Sequence, residues 1–222
     1  MKLIFSNIII VVLLLAGCKK DQFETYDRTK DSDFFSDNIG MSNTYKVNEI
    51  IFDDFTNTSD TFNYQLLEKN ESYFTDNLGR KAIRIDRFKR LSDTSKWQYI
   101  NTWYAVKATD MVERIEDNKR IVKISFPITE DAVWNSNAYN MDNANTVFYG
   151  FIDQKYTMDT FNFKSALSVE STNVNNSSRE RSFREIYARG IGLVFKNQVN
   201  IDKVNSQLRG YKIRFQLIKH EK

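Results

Sequence analysis

The chemistry open to this chain is narrow. It holds one histidine, His220, and one cysteine, Cys18. Ser-His-Asp or Cys-His catalysis needs an imidazole held beside its nucleophile. His220 lies in the tail Lys219–Lys222, where a solvated side chain is expected. A His/Cys zinc site draws on several such ligands, so none can be assembled. Carboxylates are the remaining acid–base groups. Asp53 and Asp54 are neighbours in an extended segment, so their side chains point to opposite faces. Glu130 and Asp131 follow Pro127 in a loop-like stretch. Glycoside hydrolysis needs two carboxyls roughly 5–9.5 Å apart across the bond, a distance that sequence spacing does not give, and carboxylates at strand ends are ordinarily solvated. In "NMDNAN", Asn140, Asp142, Asn143 and Asn145 offer the hard oxygens that calcium takes, but the glycine and closing glutamate of an EF-hand are absent. Such residues are also ordinary turn formers. No enzyme activity, metal or cofactor is expected.

Two other motifs invite a binding role. In "YARGIGLVFK", Gly190 and Gly192 stand one residue apart. A phosphate-cradling glycine loop leads into a helix whose N-terminal amides hold the anion. Here "LVFKNQVNI" follows, which reads as strand, and no third glycine or GK[ST] is present. The two glycines are expected to allow φ > 0 at a turn or bulge between paired strands. The second motif is aromatic. Trp134 and Tyr139 sit with Asn135 and Asn137 in "VWNSNAYN", rings beside amides as a glycan-binding surface would present them. Trp97, Tyr99 and Trp103 share one parity in a strand, where filling a barrel interior is the favoured role.

The N-terminus addresses the chain. Lys2, the apolar run Ile8–Leu15 and the small residues Ala16 and Gly17 have the layout of a secretory signal. The run is shorter than the ~20 residues of a membrane-spanning helix. Leu15-Ala16-Gly17-Cys18 resembles the lipobox of bacterial lipoproteins, which implies acylation of Cys18 and cleavage before it. Residues 1–17 are thus read as a signal peptide and 18–33 as a flexible polar tether; 34–222 form the folded domain. The expected location is the outer membrane, on its periplasmic face or at the cell surface. Lys19 follows Cys18 where an aspartate would signal inner-membrane retention, and Lys19-Lys20-Asp21 partly resembles a surface-export signal.

The 32 basic and 29 acidic side chains are spread along the chain, giving a net charge of +3. That is a mixed solvated surface and not the clustered basic footprint of nucleic-acid binding. Seventeen Phe and eleven Tyr against one Pro suit a sheet protein.

From Tyr45 onward the apolar period is two. In "GYKIRFQL", Tyr211, Ile213, Phe215 and Leu217 alternate with polar residues. "FNFKSALSVE" places Phe161, Phe163, Leu167 and Val169 together, and "RIVKISFPI" sets Val122, Ile124, Phe126 and Ile128 inward with Lys123 and Ser125 outward. Turn signals at "TNTSD", Asp76–Gly79, "SDTS" and Glu116–Asn118 separate the segments. The expectation is a single all-β domain: an antiparallel meander of about ten strands, curled into a barrel or half-barrel. A short helix has room within Asn173–Arg184.

"EIYARGIGLVFK" and "LRGYKIRFQLI", with "VNEIIFDDFTNTSDTFNYQL", "DNLGRKAIRIDRF" and "VWNSNAYN", resemble segments of an uncharacterised Bacteroidota lipoprotein family with a YAxGxGLV element. The chain departs from that pattern at Ser36 and at Asn43-Thr44, where relatives carry proline and tryptophan. The resemblance implies a lipid-anchored envelope protein with no known chemistry. Its expected partners are the membrane, through the anchor, and a small-molecule, glycan or envelope-protein ligand. If Cys18 is the acceptor, Cys18→Ala abolishes incorporation of radiolabelled palmitate; label persisting in the variant places the lipid elsewhere.

Overall fold

The computed structural model describes residues 31–205 and 207–222. The expectations for the signal peptide, for Cys18 and for tether residues 18–30 lie outside the described residues. The domain is all-β and contains β1 (Ser42–Asp53), β2 (Thr58–Thr75), β3 (Lys81–Arg90), β4 (Gln98–Lys107), β5 (Met111–Glu116), β6 (Lys119–Ser125) and β7 (Val133–Asn135). It continues with β8 (Thr146–Met158), β9 (Phe161–Ser171), β10 (Val174–Asn175), β11 (Arg179–Ala188), β12 (Gly192–Val204) and β13 (Gln207–Glu221). Thirteen strands replace the expected ten or so, because the "VWN" and "VN" segments each form a short strand. Asn173–Arg184 holds β10, a turn and the start of β11 in place of a helix. Asn176 enforces this: its side chain accepts from the Ser178 and Arg179 amides, drawing the chain into a tight turn.

The sheet order is β6-β5-β4-β3-β2-β1-β13-β12-β11-β9-β8-β7, all antiparallel, with β10 added beside β11. Neighbours in sequence are mostly neighbours in space, as a meander requires. The first and last strands pair along β1 from Ser42↔Glu221 to Phe52↔Gly210. His220 is therefore no free tail residue: its Nδ1 lies 2.7 Å from the Asn43 Oδ1. The turns sit at the expected signals. Asp117 and Asn118 both take positive φ between β5 and β6, as a two-residue type I′ hairpin demands.

The ends of the sheet, β6 and β7, close into a barrel largely through side chains. The Val122 amide donates to the Ser136 carbonyl at 2.9 Å. The Val122 carbonyl accepts from the Trp134 indole N–H at 3.2 Å, and the Arg120 carbonyl from the Asn140 amide at 2.8 Å. The Tyr149 hydroxyl accepts from the Ser125 amide and donates to the Ser125 carbonyl. A bare edge strand would leave these groups unpaired and open to other chains. The segment from Trp134 to Tyr149 covers them.

One end of the barrel is plugged by residues 31–41. Phe34 and Phe35 are buried in the core. The Gly190 amide donates to the Asp33 carbonyl at 2.8 Å, and the Arg189 guanidinium lies 4.1 Å from the centre of the Phe34 ring. Asn70 donates to the Ser36 and Asn38 carbonyls, and the Tyr73 hydroxyl to the Asp37 carbonyl. Residues 31–33, read from sequence as tether, are thus tied to the domain. Gly190 and Gly192 occupy the β11–β12 turn with φ of 70° and 89°. That turn presents the Gly190 amide to the plug.

Two outcomes are expected. Phe34→Ala should cost about 3–5 kcal/mol of stability, since a fully buried ring is lost. Gly192→Val should cost more than about 1 kcal/mol because the branched side chain opposes positive φ. Urea midpoints at constant m-value measure both.

Candidate functional site

The most unusual feature of the interior is a chain of buried charges. It begins on β2 and β3, where Arg87 Nε lies 3.0 Å from Glu68 Oε1. Arg114 of β5 reaches the same oxygen at 2.5 Å and lies 3.4 Å from Glu116 Oε1. Lys123 of β6 then bridges Glu116 at 2.9 Å and Glu185 of β11 at 3.1 Å. Lys196 of β12 ends the chain, 3.6 Å from Glu185. The Trp103 ring lies against it, 3.4 Å from the Arg87 guanidinium carbon and 4.9 Å from that of Arg114. Strands from both sides of the seam are thereby braced across the lumen.

Local register explains how the charges arrive inside. Alternation alone sends Lys123 outward with Ser125. However, the pairing of β5 with β6 shifts between Val112 and Glu113, so that Val112 faces Ile124 while Glu113 faces Val122. Lys123 is the extra residue of that bulge, and it turns inward to two carboxylates. A second bulge corrects the aromatic expectation. Arg87 faces Asn101 but Phe88 faces Tyr99, which makes Ile100 the extra residue. Tyr99 therefore packs edge-on against Phe88 and bonds Thr102, while Trp103 lies over Arg87. Trp97 precedes β4 and packs on Arg90. The three aromatics do not share a face.

The electrostatics follow from burial and proximity. Burial pushes the Glu68 carboxyl up, but Arg114 and Arg87 outweigh it and hold the group below its ordinary value of 4.5. Glu116 and Glu185 show the same balance, with burial opposed chiefly by Lys123. Burial would lower Lys123, yet Glu116 and Glu185 raise it. Lys196 is lowered, first by burial and then by Lys123. Tyr187, whose hydroxyl lies 2.5 Å from Glu185, is raised by burial and by that carboxylate, so it stays a neutral donor.

Between this belt and the plug lies a cavity of about 40 Å³, lined by Phe35, Tyr45, Glu68, Asn70, Arg114 and Tyr187 among others. That is room for one to about three waters, and far below the several hundred Å³ of a ligand pocket. Among the described residues no group of three His, Cys, Asp or Glu side chains is placed to hold a metal.

The sequence candidates fall elsewhere. Trp134 is half-buried, packs 4.9 Å from Tyr149 and donates to the seam. Asn135 accepts from the Asn137 and Asn145 amides, and Asn137 donates to the Asn143 carbonyl. Tyr139 is 50% exposed, its ring centre 5.6 Å from the Arg120 guanidinium. These residues are brought together, but the amides are engaged in shaping their own loop. Asp142 pairs with Lys119 at 2.7 Å. Asp53 accepts from the Phe55 amide, and Asp54 lies 3.9 Å from Arg209. The belt was not foreseen, since its members are scattered from Glu68 to Lys196 and look like ordinary solvated charges.

No family model matches the chain, and no curated protein matches it. Two solved structures are similar. One is a Bacteroides fragilis protein provisionally described as exported and having a YmcC-like fold, with TM-score 0.36 and 14% identity over 85% of this chain and 99% of that one. The other is a Parabacteroides distasonis protein provisionally described as a lipoprotein, with TM-score 0.38 and 10% identity over 85% of this chain and 98% of that one. At these scores neither transfers a residue role.

Removing one member of the belt should be costly. Glu185→Ala leaves Lys123 and Lys196 buried without that carboxylate, for an expected loss of about 3–5 kcal/mol. Glu221→Ala, which breaks the exposed pair with Lys219, should cost about 0–1 kcal/mol. Acid should act through the same groups. Carboxyls depressed in the fold bind fewer protons than in the unfolded chain, so their stabilisation is complete above 4.5 and is lost as pH falls below it. Urea midpoints measured downward from neutral pH should decline in that window, and less steeply in Glu185→Gln.

Proposed function

We propose that this chain is an outer-membrane lipoprotein whose β barrel is a non-catalytic domain that binds an envelope protein through the rim opposite the plug. The reading of the anchor rests on Leu15–Cys18 and on the resemblance of the later segments to Bacteroidota lipoproteins. The binding reading rests on one observation above others: Phe55 stands 94% exposed at the β1–β2 turn. Ile51 and Phe62, diagonal neighbours on the same hairpin, are exposed with it. At the neighbouring β12–β13 tip Val204 is exposed as well. Exposed apolar side chains gathered on projecting hairpins fit a protein contact, and Phe55 is the most exposed of them.

The interior supports this choice over a small-molecule carrier. It is filled by side chains, and its cavity has room only for water. A glycan-binding role would draw on the exposed Tyr139 ring with few free amides beside it. Of the belt, Glu68 and Arg114 line that small cavity, and the remaining members brace the strands; none of them is assigned a catalytic role.

A photo-crosslinking residue placed at Phe55 in intact cells should yield a discrete protein adduct. Phe55→Asp, introduced with the crosslinker at Phe62, should abolish that adduct while leaving the melting temperature unchanged. Absence of any adduct at both positions overturns the rim as the binding surface. Protease added to intact cells then assigns the side: digestion puts the domain at the surface, and protection until the outer membrane is opened puts it in the periplasm.

A further inference from the structure

The plugged end of the barrel carries a second exposed apolar cluster, distinct from the rim. Ile39 in the plug is 54% exposed and Leu78 in the β2–β3 turn 61% exposed, and at the end of β2 Tyr73 is exposed on the face toward the plug and Phe74 on the opposite face, against Tyr104. The cluster is tied together. The Tyr73 hydroxyl donates to the Asp37 carbonyl at 2.8 Å, and the Gly40 amide to the Asn70 carbonyl at 2.8 Å. Leu78 is held out on a rigid turn, because Asp76 accepts from the Leu78 and Arg80 amides and from the Arg80 side chain. Lys81 lies over the Tyr73 ring at 3.6 Å, and Lys107 pairs with Asp37 at 2.8 Å.

We infer that this lip seats on the surface of the bilayer that holds the anchor. The inference rests on the lipoprotein reading above. The described chain begins at Asp31, within this same end, 3.9 Å from Arg189 of the β11–β12 turn. Cys18 lies thirteen residues earlier, so the chain between can span at most about 45 Å. An acylated Cys18 therefore holds the plugged end within about 45 Å of the membrane, whereas the far rim can stand a further barrel length away. Tethering raises the effective concentration of the lip at the bilayer, so a weak insertion suffices. The composition fits an interface: aliphatic tips to enter the acyl boundary, a tyrosine at headgroup depth and Lys81 beside anionic lipid, with Lys107 paired to Asp37. The rim bearing Phe55 lies at the far end of β2, roughly 55 Å away along the strand.

The test uses the full chain, purified from membranes and reconstituted in phosphatidylethanolamine–phosphatidylglycerol vesicles. With the Cys18 thiol acylated, Leu78→Cys and Phe55→Cys each carry one free thiol for a nitroxide. The Leu78 probe should be several-fold less accessible to a water-soluble nickel chelate than the Phe55 probe, and more accessible to oxygen. Ile39→Asp combined with Leu78→Cys should restore access to the chelate. Equal chelate access at positions 78 and 55, in protein whose intact mass includes the acyl chains, overturns the seating and leaves the anchor standing. Protein without acyl mass removes the anchor and the seating together.

Discussion

The carboxylate of Glu185 holds two lysines from two other strands inside a barrel that has little water to solvate them. Continued through Lys123, Glu116, Arg114 and Glu68 to Arg87, this chain of charges ties β2, β3, β5, β6, β11 and β12 into one frame. Burying ions is costly, and an apolar core of equal volume can be as stable. What the ions add is intolerance of error. A strand displaced by one residue would turn its charge outward and leave the partner buried alone. The belt has four cations, Arg87, Arg114, Lys123 and Lys196, against three carboxylates, Glu68, Glu116 and Glu185. Lys196 holds its carboxylate at the longest distance, 3.6 Å, and its ammonium pKa is lowered overall, first by burial.

The rest of the architecture protects that interior. Pairing of β1 with β13 closes the barrel at the chain ends, so the discontinuity falls mid-chain between β6 and β7. Backbone ladders give way there to side chains, with Trp134, Asn140 and Tyr149 supplying partners to the edge of β6. The plug seals one end with Phe34 and Phe35 and is fastened by Asn70, Tyr73, Lys107 and the Gly190 turn. Seam, plug and belt leave a cavity only large enough for water. The two ends of the barrel differ. One carries the start of the described chain and a lip of aliphatic and aromatic tips; the other carries projecting hairpins with Phe55 at their apex.

Period-two alternation, turn residues and composition were enough to read an antiparallel all-β barrel from the sequence, because those signals are local. The hairpin at Asp117-Asn118 and the glycine pair at Gly190 and Gly192 are legible for the same reason: positive φ is a property of a residue and its neighbours. The resemblance of Leu15–Cys18 to a lipobox is likewise a matter of linear pattern. What escaped were the features set by pairing register. A bulge is one extra residue against a partner strand, and nothing in "RIVKIS" alone shows that Lys123 is that residue. The same holds for Ile100, whose insertion parts Tyr99 from Trp103. The belt is hidden because its charges are tens of residues apart and resemble a solvated surface until tertiary closure brings them within 3–4 Å. "VWNSNAYN" has the residue types of a glycan site, but the partner of the Trp134 indole N–H is the edge of a strand that it meets only after the barrel has closed.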